Sequence, residues 1–174
     1  CKQQIDRLGV LIKEILDTSK LDEAALQEAH EVDIAALITE VARPYRMIAK
    51  AKGIVLDIDT GGSFTVKLPV ELLQKAVSNI LSNAVTYTPT SGNVLVYLDD
   101  GCLIVENECT PIEPESLHSL FEPFSRHEAL RNKNTSGNGL GLYITSTILK
   151  LIGLEFSFTP TASPPGMQFV INLR

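Results

Sequence analysis

Apolar residues near the N-terminus recur at the spacing of one helix face. Ile5, Leu8, Ile12 and Ile15 follow one another at steps of three and four, and charged residues occupy the opposite face. A helix of about 20 residues cannot bury such a stripe by itself. The pattern therefore favours packing against a partner helix, and packing onto the chain's own domain is the alternative.

The same spacing predicts three more helices, over residues 33–52, 69–87 and 139–152. Gly53 follows the first of them at the position where a left-handed residue commonly ends a helix. Pro69 suits the first turn of the second, because a helix leaves the N–H groups of that turn without partners.

Short stretches between these helices alternate apolar and polar residues, which predicts strands. The predicted strands are IVLDID (54–59), FTVKL (64–68), NVLVYLD (93–99), CLIVEN (102–107), EFSFTPT (155–161) and MQFVINL (167–173). Turn signals separate them at Gly61-Gly62, Asp99-Asp100-Gly101 and Pro164-Pro165-Gly166. The order of elements predicts an α+β protein, a two-layer α/β sandwich with one mixed, mostly antiparallel sheet and helices on one face.

Composition and charge narrow the classes of protein that fit. The 174 residues suffice for one ordinary domain and a short appendage, and 44% of them are apolar. A net charge of −6, without any basic run, argues against a general nucleic-acid binder. No apolar run reaches the ~18–20 residues that cross a bilayer. Cys1, Cys102 and Cys109 lack metal-ligand spacing, and their odd number fits a reducing compartment.

Two asparagines lie one turn apart on the helix predicted at 69–87. Asn79 and Asn83 share a face that also carries Ala76, Ile80 and Tyr87, so it is not a simple solvent face. Mid-helix asparagine is unfavourable and needs a reason. One reason is chemical, because an amide oxygen is a hard neutral ligand that can hold Mg²⁺ while a triphosphate supplies the charge. The alternative is that both amides satisfy backbone groups in loops.

A glycine-rich segment, SGNGLGLYI (136–144), precedes and opens the next helix. Gly137, Gly139 and Gly141 would let a ligand approach the backbone closely, and N–H groups at a helix start favour phosphate. A dinucleotide-binding fold is the obvious competitor. That motif should follow a first strand within a βαβ unit, whereas this one follows a long polar loop near the C-terminus.

A third segment, VENECTPIEPESLHSLFEPFSR (105–126), ends a strand at Asn107 and turns through Thr110-Pro111. Ile112 then leads into a short helix. Taken alone, the segment also fits an ordinary strand, turn and helix with an aromatic anchor at Phe121.

Together, in this order and spacing, the three segments resemble a known family. NILSNAVTYT, VENECTPI, FEPFSR and SGNGLGL resemble the asparagine, first glycine, phenylalanine and second glycine boxes of bacterial sensor histidine kinases. Their ATP-binding domain belongs to a superfamily shared with type II topoisomerases, Hsp90-type chaperones and mismatch-repair ATPases. The resemblance implies a Bergerat-type ATP-binding fold, with ATP and Mg²⁺ as cofactors.

The resemblance also divides the chain. Residues 1–22 resemble the second helix of the dimerisation and phosphoacceptor bundle, and 23–30 would be a linker. Residues 31–174 would be the ATP-binding catalytic domain, with a lid at about 122–138. Such a domain would lie in the cytoplasm, as part of a sensor protein anchored in the plasma membrane.

Nucleotide-binding roles follow from the same resemblance. The residues that it assigns are Asn79, Asn83, Tyr87, Asn107, Pro111, Ile112, Phe121, Arg126, Gly137, Gly139, Leu140, Gly141 and Leu142. Asn83 would ligate Mg²⁺, Asn79 would contribute a second amide, and Asn107 would meet the adenine amino group. No residue is assigned a certain catalytic role.

Several positions depart from the family pattern. Asn107 stands where the family usually has Asp, and Cys109 and Pro111 stand where it has glycines. A neutral hydrogen bond contributes about 0.5–1.5 kcal/mol, against about 1.5–3 kcal/mol for a charged one, so adenine affinity would be several-fold lower. Thr86 replaces a residue that is basic in many relatives.

The residue type at position 79 distinguishes a kinase from a hydrolase. Hydrolases of the superfamily have Glu there as a general base for water, and Asn cannot take a proton. The histidine that receives the phosphate lies, in the family, on a helix before residue 1, and His30, His118 and His127 lack its setting. Isolated, the chain would bind ATP without phosphorylating itself.

The implied partners are a phosphoacceptor-histidine helix, in cis or in trans within a dimer, and the receiver domain of a response regulator. The alternative is a degenerate nucleotide-binding or non-catalytic regulatory module that acts through protein contacts.

Overall fold

The structure is a computed structural model that describes residues 29–62, 64–122 and 140–174. Its elements, in chain order, are β1 (His30–Asp33), α1 (Ile34–Lys52), β2 (Val55–Asp59), β3 (Thr65–Leu68), α2 (Val70–Tyr87), β4 (Asn93–Asp99), β5 (Cys102–Glu108), α3 (Pro114–Leu120), α4 (Gly141–Leu151), β6 (Phe156–Ala162) and β7 (Pro165–Asn172). The predicted N-terminal helix and almost all of the predicted lid lie outside the described residues.

Five strands form the main sheet, in the order β2-β4-β5-β7-β6. Only β2 and β4 pair in parallel, and the other neighbours are antiparallel. The parallel pair is possible because β3 and α2 supply the long crossover between its strands. The predicted two-layer sandwich with a mixed, mostly antiparallel sheet is confirmed.

A second, smaller sheet was not predicted. It pairs β1 with β3 in antiparallel fashion, and His30 lies opposite Leu68. The expectation that FTVKL would join one common sheet is therefore wrong. Residues 30–33, predicted as the end of a linker and the start of a helix, form a strand instead, in which only Val32 is buried.

Local chemistry sets both ends of α1, and the end at Gly53 was predicted. The side chain of Asp33 accepts a hydrogen bond from the Ala36 N–H at 3.1 Å, which caps the first turn. Gly53 has φ of 68°, and its N–H bonds to the carbonyls of Ala49 and Lys50. A left-handed residue costs glycine little, so the helix ends there.

The helix α2 lies at the centre of the helical layer, between α1 and α4 and against β5. Its buried residues are Leu72, Leu73, Ala76, Val77, Ile80, Leu81, Ala84 and Val85. They fill positions around most of the helix, as expected for an element with neighbours on several sides.

One predicted turn lies slightly elsewhere. The sequence predicts a turn at 164–166, whereas Pro165 and Gly166 already belong to β7 and pair with Ala162 and Thr161. The hairpin turn is therefore limited to Ser163 and Pro164, and β7 is two residues longer at its start than the apolar pattern indicated. None of the helices in the described ranges is long and apolar enough to cross a membrane.

Candidate functional site

Asn83 meets the first residue of α4. A Cβ built on Gly141 would lie 3.5 Å from Nδ2 and 3.6 Å from Oδ1 of Asn83. The carboxamide of Asn83 is thus directed at the start of α4, where backbone N–H groups favour an anion. The sequence predicted that the asparagine helix and the glycine segment share one site, and the structure places Asn83 and Gly141 together.

Asn79 carries a buried donor without an acceptor. Its Nδ2 is the one buried side-chain nitrogen or oxygen, among the residues that the structure describes, with no hydrogen-bond partner. Leaving such a group unpaired costs about 1–3 kcal/mol. The alternative in which both amides satisfy backbone groups therefore does not apply to Nδ2 of Asn79. An acceptor such as a phosphate oxygen would complete this site.

The end of α2 is tied to the end of β5. Thr88, which follows α2 and is only 2% exposed, donates its hydroxyl proton to the Ala84 carbonyl at 2.7 Å. The hydroxyl oxygen of Thr88 accepts a hydrogen bond from Nδ2 of Asn107 at 3.4 Å. Asn107, predicted to meet adenine, is therefore positioned by a residue for which the sequence suggested no role.

Ile112 is held beside Asn107 by a methionine. The backbone N–H of Ile112 donates to Sδ of Met167 at 3.4 Å, and Met167 lies opposite Asn107 in the β5–β7 ladder. Met167 is 2% exposed, so this bond is made to a buried side chain. The neighbouring Pro111 is exposed.

The residues around the start of α4 differ in burial. Leu140 is 1% exposed and belongs to the core, whereas Leu142 is half-buried and packs against it. Arg126, Gly137 and Gly139, which the sequence assigned to the same site, lie outside the described residues.

Phe121 packs in an aromatic cluster on the far strands of the sheet. Its ring centroid is 5.8 Å from that of Phe156 and 6.2 Å from that of Phe158. Both of these rings also contact Phe169 on β7. Such contacts anchor the end of α3 to the sheet, as the aromatic-anchor interpretation predicted for this segment.

A lysine side chain of α1 binds the last turn of α2. Nζ of Lys52 donates to the carbonyls of Val85 and Thr86 at 2.6 and 3.0 Å. These carbonyls carry the negative end of the helix dipole, so the ammonium group stabilises them. Tyr87 is the half-buried final residue of α2, directly after this contact.

Amide oxygens are the metal donors that this site offers. Within the described ranges, no group of three or more His, Cys, Asp and Glu side chains could hold a metal ion. An amide oxygen is a suitable hard ligand for Mg²⁺, which also takes oxygens from a bound phosphate. Asn83, with its carboxamide at the start of α4, fits such a shared coordination.

Three residues of this region were missed by sequence reasoning: Thr88, Met167 and Gly166. Thr88 lies inside the quoted asparagine segment, and Met167 begins a predicted strand, but neither carries a signal of its contacts. Gly166 was interpreted as part of a turn, whereas it lies within β7 opposite Glu108.

Comparisons with known proteins identify relatives of the chain. The chain is 30% identical over 171 residues to the sensor histidine protein kinase HK06 of Streptococcus pneumoniae, covering 98% of the chain and 38% of that protein. It is 31% identical over 180 residues to the sensor protein VanSB of Enterococcus faecalis, covering 99% of the chain and 39% of the relative. The chain thus spans about two fifths of the length of these relatives.

Solved structures share the fold. Full-length ShkA, crystallised in complex with AMPPNP, matches with a TM-score of 0.75 and 25% identity, over 97% of this chain and 36% of that one. Residues 69–174, from the start of α2 to the C-terminus, match the model of a family described as histidine kinase-, DNA gyrase B- and HSP90-like ATPases. These residues contain both asparagines, Asn107 and the start of α4, so the chain belongs to the family of histidine kinase-, DNA gyrase B- and HSP90-like ATPases.

Proposed function

We propose that the chain is the ATP-binding catalytic domain of a sensor histidine kinase, in which the γ-phosphate of ATP is passed to a histidine. The observation that carries the proposal is the contact between Asn83 and Gly141, which sets a neutral amide against the N-terminus of α4. This arrangement suits a triphosphate and its metal, because the helix start attracts phosphate and the amide oxygen can ligate Mg²⁺.

The asparagines supply two different groups in this proposal. Asn83 would hold Mg²⁺ through its carbonyl oxygen, and the metal would neutralise charge on the phosphates. The buried Nδ2 of Asn79 would donate to a phosphate oxygen or to water bound by the metal, which removes the cost of leaving it unpaired. Asn79 would also contribute its own amide oxygen.

At the other end of the site, Asn107 would accept a hydrogen bond from the adenine amino group. Ile112 and Leu142 would line the base, and Tyr87 would lie along the nucleotide. Arg126, Gly137 and Gly139 would reach the phosphates from the lid and the glycine segment. The crystal structure of ShkA with AMPPNP supports an adenine nucleotide as the ligand.

Kinase chemistry is favoured over hydrolysis by the residue at position 79. A carboxylate there could remove a proton from water, whereas the amide of Asn79 cannot. The γ-phosphate would therefore be retained for a protein nucleophile, the phosphoacceptor histidine of a dimerisation helix. A response-regulator receiver domain would take the phosphate next, and the domain would work on the cytoplasmic side of a membrane-anchored protein.

A second candidate is a regulatory module that binds nucleotide weakly or acts through contacts alone. The segment after β5 favours it, since the Cys109 N–H bonds to the Pro165 carbonyl at 3.2 Å and prolongs the sheet where the family has a glycine-rich turn.

Calorimetric titration with a non-hydrolysable ATP analogue, with and without Mg²⁺, distinguishes the two candidates. We expect binding that depends on Mg²⁺ and is lost in Asn83→Ala. Ser82→Ala is the matched control, because Ser82 lies next to Asn83 on the exposed side of α2. Binding by neither the parent chain nor the control would sink the kinase proposal. If binding is found, formation of phosphohistidine on a supplied phosphoacceptor domain tests the transfer.

A further inference from the structure

The hydroxyl group of Thr88 donates its proton to the backbone carbonyl of Ala84. Oγ1 lies 2.7 Å from the Ala84 carbonyl oxygen, which has no hydrogen of its own, so the proton between them belongs to Thr88. Thr88 is 2% exposed, so water does not compete for this contact. Toward its other neighbours, Oγ1 therefore presents lone pairs only.

Because the Thr88 hydroxyl donates to Ala84, it fixes the orientation of the Asn107 carboxamide. The group that faces Oγ1 at 3.4 Å must be a donor, which is Nδ2. Turning the amide over would bring Oδ1 against the lone pairs of Thr88, with no hydrogen between two acceptors. Oδ1 is consequently held on the opposite side, and no donor among the described residues reaches it.

The orientation matters because asparagine can present either of two opposite groups to a base. When Oδ1 faces the base, asparagine accepts a hydrogen bond from a 6-amino purine such as adenine. When Nδ2 faces the base, asparagine donates to the 6-oxo group of guanine or hypoxanthine instead. An unrestrained asparagine could therefore serve both kinds of nucleotide.

We propose that Thr88 is a specificity-determining residue, which makes Asn107 select 6-amino over 6-oxo purine nucleotides by locking its amide. This inference rests on the proposed function, because it requires Asn107 to meet the base. Thr88 acts through Asn107 without touching the nucleotide, so it is a positioning residue.

The test compares Thr88→Val with Thr88→Ser as its matched control. Valine keeps the shape of threonine but cannot accept a hydrogen bond, whereas serine keeps the hydroxyl. The Ala84 carbonyl retains the Thr88 backbone N–H at 3.1 Å in both variants, so the end of α2 stays capped. Thermal unfolding of each variant verifies that it is folded before binding is measured.

Affinities for non-hydrolysable analogues of ATP, GTP and ITP supply the readout. ITP matters because it carries the 6-oxo group without the 2-amino group of guanine. In Thr88→Val we expect ATP affinity to fall about 2- to 10-fold, the range of one neutral hydrogen bond, and ITP affinity to rise by a similar factor. Thr88→Ser should retain the parent preference.

Asn107→Asp in the Thr88→Val background provides the second arm. A carboxylate can only accept, whichever way it turns, so this double variant should recover the preference for ATP. An unchanged ATP-to-ITP ratio in Thr88→Val, or no preference in the parent chain, would overturn the role of Thr88 and leave nucleotide binding intact. Failure of the parent chain to bind any of the three analogues would instead overturn the proposed function, and this inference with it.

Discussion

The backbone carbonyl of Asn107 occupies the space that a side chain on Gly166 would need. A Cβ at position 166 would also lie 3.0 Å from the carbonyl carbon of Asn107 and 3.2 Å from Cα of Glu108. Because all of these atoms belong to the backbone, no change of rotamer can relieve the contact. The position of Asn107 at the end of β5 therefore depends on glycine in the neighbouring strand.

We expect Gly166→Ala to displace the end of β5 and so to weaken both folding and ligand binding. The free energy of unfolding should fall by about 1–3 kcal/mol, the usual cost of forcing extra atoms into a packed region. Affinity for an ATP analogue should fall as well, because Asn107 moves. Chemical denaturation and calorimetric titration measure the two effects.

Gly153→Ala is the control for this prediction. Gly153 has φ of 75°, and no heavy atom in the described part of the chain lies within 4 Å of its Cβ position. Alanine there should cost about 1–2 kcal/mol of backbone strain and leave nucleotide affinity unchanged. Equal affinities in the two variants would contradict the link between Gly166 and Asn107.

A second prediction concerns the unpaired amide of Asn79. Asn79→Leu removes a buried donor without an acceptor and improves helix propensity, so the free energy of unfolding should rise by about 1 kcal/mol. Nucleotide affinity should fall at the same time, because the donor for phosphate is lost. Asn79→Ala is the second variant, because it removes the same donor and needs less space than leucine.

Opposite signs for stability and binding would mark Asn79 as a residue kept for its ligand. Thermal denaturation without nucleotide and titration with the ATP analogue supply the two numbers. If both variants are less stable than the parent and bind equally well, the amide serves the fold alone.

Much of the helical layer could be predicted from the sequence, because its signals are local. The ends of α1 follow from Asp33 and Gly53, which act within one turn of the helix. Asn79 and Asn83 could be placed on one face from their spacing alone. The strand β1 could not, since it is four residues long and pairs with β3 more than 30 residues away.

The contacts within the site were beyond the reach of sequence spacing for the same reason. Thr88 meets Asn107, and Ile112 meets Met167, only because of the register between β5 and β7 and the packing of α2. Those arrangements depend on the whole sheet. A resemblance to known motifs could name Asn107 and Ile112 but not the residues that position them.

Lys52 provides a third prediction. Its ammonium group bonds to two carbonyls at the end of α2, whereas Lys50, also in the last turn of α1, is exposed and makes no such contact within the described residues. Both lysines offer the same charge to the dipole of α1 itself. The difference between Lys52→Met and Lys50→Met therefore isolates the contact with α2.

We expect Lys52→Met to lower the free energy of unfolding by about 1–2 kcal/mol more than Lys50→Met, because a half-buried charged donor is lost from two acceptors. The difference should shrink little at high salt, since the contact is partly shielded from solvent. Urea denaturation at two salt concentrations measures it. Identical denaturation midpoints for the two variants would show that the carbonyls of Val85 and Thr86 do not need Lys52.

The last prediction concerns Tyr97, on the sheet face opposite the helices. Burial, reinforced by a hydrogen bond from its hydroxyl to Glu106 at 2.7 Å, raises the pKa of Tyr97 from 10.0 to about 12. The side chain of Gln168 acts on Tyr97 in the opposite sense and partly offsets the rise in its pKa. Gln168 also donates to the same carboxylate oxygen of Glu106 at 2.6 Å. The three side chains join β4, β5 and β7.

Between pH 10 and about pH 12, Tyr97 retains its proton in the folded protein and releases it in the unfolded chain. The resulting stabilisation is fully present below pH 10 and is lost as the pH rises toward about 12. In a titration of tyrosinate absorbance, one of the four tyrosines should therefore ionise late, and Tyr97→Phe should remove that step. Glu106→Gln should move the step to lower pH, because the carboxylate charge is gone, but burial should keep it above the ordinary value. A step that stays in place in Glu106→Gln would mean that burial alone raises the pKa of Tyr97.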